Sequence, residues 1–127
     1  MRAKKSDIPV TYEEVGGKSY ARWAEWGDMD VGFSGMEGGR DSTEALKGLP
    51  GDSCPVPHWG YMIKGRMRVK YRDHDDVINA GEAFYMAPGH IPVAEEDCEF
   101  VDFSPKGENK KILMAAVRNR EAMKKKR

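Results

Sequence analysis

Long apolar runs are missing from this chain of 127 residues, so no membrane-spanning helix is expected. Cysteine is scarce: Cys54 and Cys98 are the two present, too few for the disulfide framework of small secreted domains. Neither sign of charge is in excess, with 21 basic residues against 21 acidic ones. That balance removes the global field that draws nucleic acid or an anionic membrane, and neither is expected as a partner. Positive charges in Met1 to Lys5 are followed by no apolar segment, so no signal peptide is expected and the cytoplasm is the expected location. No nucleotide-binding glycine loop, Ser-His-Asp arrangement or pair of catalytic carboxylates can be recognised.

What the chain does contain is a series of short strand signals. Residues 1–18 are polar with a Gly16-Gly17 break and read as an arm. From Ser19 the pattern changes. Met29, Val31 and Phe33 alternate with polar or small residues, which places them on one strand face. Between Trp59 and Tyr71 the residues Trp59, Tyr61, Ile63, Met67, Val69 and Tyr71 share one parity. Lys64, Arg66, Arg68 and Lys70 share the other, and Gly65 between them suggests a bend or bulge. Further short runs at Val77 to Asn79, Ala83 to Met86, Ile91 to Ala94 and Cys98 to Phe103 are separated by turn residues. This spacing argues for an antiparallel sandwich or barrel over residues 19–104. After Ser104-Pro105, Ile112, Leu113, Ala116, Val117 and Met123 recur at helical spacing, so residues 105–127 are read as a C-terminal helix, from about 108 to 124, with a basic tail. Lys124, Lys125, Lys126 and Arg127 complement the negative end of the helix dipole.

Two segments carry spacing that goes beyond strand signals: Asp52-Ser-Cys54-Pro-Val-Pro-His58 leading to Gly65, and Gly81 leading to Ala87-Pro88-Gly89-His90. Together they resemble the paired motifs of the cupin superfamily. That resemblance covers roughly residues 29–104. It implies an all-β, antiparallel double-stranded β-helix or jelly-roll barrel with the helix appended. His58 stands at the position of the family's glutamate, and Cys54 and Asp52 stand where its paired histidines belong. In the second motif Pro92 replaces the histidine and Glu96 the asparagine, while His90 lies two residues ahead of the expected histidine.

Asp52, Cys54 and His58 have the same parity, so an extended backbone directs them to one side. Pro55 and Pro57 favour that extended conformation. With His90 they form a candidate divalent-metal set. A thiolate with imidazoles favours zinc, ahead of manganese, iron or nickel. The competing reading is a site without metal, with Cys54 a small buried residue, Asp52 a turn residue and His58 a hydrogen-bonded cavity wall. Under both readings His58, Gly60, Met62, Tyr85 and His90 are the candidate pocket, with Tyr61 and Met86 beside them. Cys98 reads as a plain buried residue and His74 as part of an exposed turn.

Two functions follow from the resemblance. One is a small-molecule enzyme using zinc or manganese as a Lewis acid, or His58 as an acid–base group. The other is a non-catalytic ligand-binding or sensor domain. A homodimer is expected, because the arm and the amphipathic helix each need a surface to cover.

Overall fold

In the computed structural model residues 1–125 are described; Lys126 and Arg127, which end the expected basic tail, lie outside them. Nine strands precede one helix: β1 (Tyr12–Glu13), β2 (Tyr20–Trp26), β3 (Met29–Met36), β4 (His58–Lys64), β5 (Arg66–Lys70), β6 (Asp75–Asn79), β7 (Ala83–Met86), β8 (Ile91–Ala94), β9 (Cys98–Pro105) and α1 (Glu108–Lys125). Hydrogen bonding divides them into a six-stranded sheet, β1-β2-β3-β9-β4-β7, and a three-stranded sheet, β6-β5-β8. Every strand pairing is antiparallel. The expected all-β architecture with a C-terminal helix is present, as two facing sheets rather than one continuous closed barrel.

The chain crosses from one sheet to the other at Gly65. Its φ of +88° lies in the left-handed region, and a Cβ there would stand 2.2 Å from the Asp97 carbonyl oxygen. Only glycine fits both demands. The crossing also inverts the side-chain parity expected for Trp59 to Tyr71. Before Gly65 the inward residue is Met62, fully buried, whereas Trp59, Tyr61 and Ile63 are exposed. After Gly65 the inward residues are Met67 and Val69. A single parity does not survive a bend that moves a strand into a different sheet.

The core fills the space between the sheets. Met62, Phe84, Met86 and Phe100 come from the larger sheet and Met67, Val69, Ile78 and Ala94 from the smaller one. Burial of each large apolar side chain contributes roughly 1.5–3 kcal/mol. The N-terminal arm is attached: β1 pairs with β2, Arg22 Nη1 donates to the Ile8 carbonyl at 2.9 Å, and Ile8 is buried. It covers the β2 side of the outer sheet face, while Trp59, Tyr61, Ile63, Tyr85 and Phe103 remain bare on the β4 side. Helix α1 closes one end of the sandwich. Asn119 Nδ2 donates to the carbonyls of Ala45 and Lys47 at 2.8 and 2.9 Å, tying the helix to the short 3₁₀ turn Glu44–Leu46. Among the described residues no helix is long and apolar enough to cross a membrane.

Candidate metal centre

Three of the four expected ligands meet. One donor atom from each of Cys54, His58 and His90 lies within 4.8 Å of the others. The local folding explains it. Cys54 and His90 form an isolated antiparallel bridge, with Cys54 N–H donating to the His90 carbonyl at 2.9 Å and Gly89 N–H donating to the Cys54 carbonyl at 2.8 Å. His58 opens β4 and pairs with Met86 at the end of β7, just before the turn that carries His90. The two imidazoles meet edge to face, with centroids 4.9 Å apart.

Hydrogen bonds aim these donors. His90 Nδ1 lies 2.7 Å from the Ala87 carbonyl oxygen, which can only accept, so Nδ1 carries the proton and Nε2 keeps its lone pair. His58 Nδ1 lies 2.7 Å from Ser104 Oγ and its Nε2 lies 3.8 Å from Cys54 Sγ. Anchoring one ring nitrogen on the protein while the other faces a site is the usual arrangement of metal-bound histidine.

Burial governs the charge state. It pushes His58 down to about 3, with His90 adding to the effect, and it lowers His90 as well. Near neutral pH both rings are therefore uncharged and able to ligate. Burial raises the Cys54 thiol to about 11, so a metal there must displace its proton.

Sequence reasoning missed Asp102. It faces inward from the middle of β9, with Gly32 of β3 and Gly60 of β4 as its two neighbours across the strands. Both glycines are required by space. A Cβ at Gly32 would lie 2.0 Å from the Trp23 ring, and one at Gly60 would lie 2.5 Å from the Phe84 ring. Burial, then the negative Asp30 nearby, raises Asp102 to about 7. Its Oδ2 is 3.5 Å from His58 Nδ1, but an uncharged imidazole makes this a contact and not an ion pair. Its Oδ1 is buried without a hydrogen-bond partner among the described residues. The available signal was the alternation in β9, where Cys98, Phe100, Asp102 and Ser104 all point inward.

The other expected residues are placed as follows. Asp52 turns away: it adopts a left-handed φ of 51°, is exposed, and its carboxylate accepts from Gly48 N–H at 2.9 Å. Gly60 faces inward but supplies only the space taken by Phe84. Met62 is part of the apolar core rather than the cavity wall. Tyr85 and Tyr61 lie on the outer face, Tyr85 stacked on Trp59 at 5.2 Å. They are outside because β4 and β7 turn their odd-numbered residues away from the core. Met86 does line the cavity, which measures about 190 Å³ and also meets Trp23, Leu46, Ile112, Leu113 and Arg120.

No protein-family model matches the sequence, and comparison with curated proteins gives no match. Solved structures do match. A protein of unknown function from Rhizobium leguminosarum aligns with a TM-score of 0.61 and 18% identity, over 83% of this chain and 95% of that one. An RmlC-like cupin from Shewanella frigidimarina aligns at 0.58 and 16%, over 84% and 92%. A mutant of Bacillus subtilis oxalate decarboxylase aligns at 0.58 and 20%, over 83% of this chain and 29% of that one. With two facing antiparallel sheets, a site between them and these structural relatives, the chain has the cupin fold.

Proposed function

We propose that the end of the sandwich closed by α1 is a divalent-metal site of zinc type, opening onto a cavity that receives a small molecule. The observation that carries this reading is the convergence of Cys54 Sγ, His58 and His90 within 4.8 Å. The donor set suits zinc, which takes sulfur and nitrogen ligands and uses three protein ligands in sites that keep a position open. When bound, such an ion supplies Lewis-acid polarisation of a ligand oxygen.

The chain's own residues supply the rest. Ala87 and Ser104 hold the two imidazoles in orientation. Leu46, Ile112 and Leu113 give the cavity an apolar wall. Asp102, raised to about 7, can hold or release a proton at Oδ1 near neutral pH, as a general acid or base requires. A cavity of about 190 Å³ is below the roughly 300–1,000 Å³ of drug-sized sites, so its ligand has few atoms.

One observation favours the metal-free, non-catalytic ligand-binding reading. Cys54 is a buried neutral thiol and the trio contains no carboxylate, so no donor is charged before the metal arrives. Elemental analysis of protein purified without a metal-affinity tag separates the two. About one zinc per chain, lost in Cys54→Ser and His90→Ala, supports the metal site. Wild-type protein that neither carries nor takes up zinc leaves the metal-free reading.

A further inference from the structure

Cys54 and His90 lie sealed inside the sandwich, 5% and 1% exposed. Part of that seal is α1. Leu46, Cys54 and Val56 form a small apolar cluster, and Ile112 of the helix packs against it. Asn109, Ile112, Leu113 and Ala116 of the same helix line the cavity. Yet α1 is packed as a cover and not as a core helix. Of its eighteen residues, Asn109 and Ala116 are the buried ones. Ile112 and Leu113, which face the cavity, are half-buried. A side chain facing empty space has no neighbour on that side, so it holds its helix weakly.

Polar contacts fix the helix at two places. At its start the turn Lys106-Gly107 joins it to β9. Lys106 N–H donates to the Asp28 carbonyl and Gly107 N–H to Asp30 Oδ2, each at 3.1 Å, so the chain is held as far as Gly107. Gly107 has a left-handed φ of +81°, and a Cβ there would meet no atom within 4 Å. It is a position where the backbone can turn freely. About 18 Å along the helix, at 1.5 Å per residue, Asn119 Nδ2 donates to the carbonyls of Ala45 and Lys47. Beside it Arg120 pairs with Glu14 of the arm at 3.5 Å. The turn that receives Asn119 is itself fastened to the sandwich, since Ser42 N–H donates to the Pro92 carbonyl at 3.2 Å. Such hydrogen bonds are readily exchanged for bonds to water. We infer that α1 is a lid, hinged at Gly107 and latched by Asn119, which opens to admit what the cavity receives. The identity of what enters rests on the function proposed above; the opening does not.

The test is alkylation of the chelator-treated full chain by N-ethylmaleimide at one pH, with Cys54 and Cys98 followed as separate peptides by mass spectrometry. Cys98 is buried at the end of β9 remote from α1, so it reports opening of the whole fold. Asn119→Ala should speed Cys54 about tenfold, as expected for the loss of a pair of hydrogen bonds, and leave Cys98 unchanged. Arg118→Ala, on the exposed side of the same helix, should change neither. An unchanged Cys54 rate in Asn119→Ala overturns the lid. Equal acceleration of both cysteines overturns it too, because the whole fold is then loosened. Hydrogen exchange on the unsubstituted chain gives a second reading that needs no variant. The amides of Glu108–Lys125 should exchange as one unit, well before those of β3 and β9. Helix and strands exchanging at one common rate overturn the inference as well. Zinc uptake, measured separately, keeps the two readings apart. Its absence removes the metal centre and leaves the lid, whereas failure of the labelling and exchange tests removes the lid alone.

Discussion

The two ends of the inter-sheet space are built from the same strands and differ in almost every physical property. Along β9 the inward residues run from Cys98 and Phe100 to Asp102 and Ser104, and along β4 they run from Met62 back through Gly60 to His58. The first end is apolar and filled, with Met62 and Met67 completely buried. The other is polar and open, capped by a helix whose buried residues are Asn109 and Ala116. β3 keeps one register on β9 across both ends, whereas β4 shifts its register on β9 between Met62 and Lys64, at the filled end. The difference shows how a single sheet can separate stability from chemistry by position along its strands.

That separation predicts unequal responses to substitution. Phe100→Ala, at the filled end, should cost about 3–5 kcal/mol in urea unfolding, because it removes a buried aromatic ring packed edge to face on Phe84. A loss below about 1 kcal/mol would mean that the two ends are equally soft. His58→Ala, at the open end, should cost stability only about 1–2 kcal/mol while lowering zinc affinity at least a hundredfold. Competition with a chromogenic chelator reads the second quantity, and unchanged affinity would place the metal elsewhere.

The pH dependence of stability sharpens the comparison further. Asp102 is raised from 3.8 to about 7 in the folded state, so between those values the folded chain holds the extra proton and stability falls as pH rises. His58 is lowered from 6.5 to about 3, so over that range the unfolded chain holds the extra proton and stability rises with pH. In chelator-treated wild type these slopes oppose each other. Asp102→Asn removes the falling one, so the variant should gain stability over wild type between pH 4 and 7. Parallel unfolding midpoints for the two proteins at both pH values would show that Asp102 is ionised in the fold.

The smallest effect on folding belongs to the outer face, which neither end uses. The homodimer expected from the sequence has a candidate surface there, where Trp59, Tyr61, Tyr85 and Phe103 lie bare on adjacent strands. Light scattering should read two chains for the wild type and one for Trp59→Glu, with unfolding of the monomer shifted by at most about 0.5 kcal/mol. A wild-type monomer would leave this face without that role.

The sequence by itself determined the strand series, the terminal helix and the meeting of Cys54, His58 and His90. Alternation and helical periodicity are local, and two short motifs separated by a hairpin carry their spacing into space whenever the hairpin forms. Other features were decided only by tertiary structure. Which parity faces inward changes at Gly65, because the chain enters a second sheet there, and this sent Tyr61 outside; Tyr85 is outside because β7 pairs with β4 and sets it opposite the outward Trp59. Asp52 left the site because a left-handed residue after Gly51 reverses the chain just before the strand begins. Asp102 came to line the cavity through contacts distant in sequence, standing between two glycines of neighbouring strands. A periodic pattern reports how a segment alternates, and only packing fixes which side of that alternation meets the cavity.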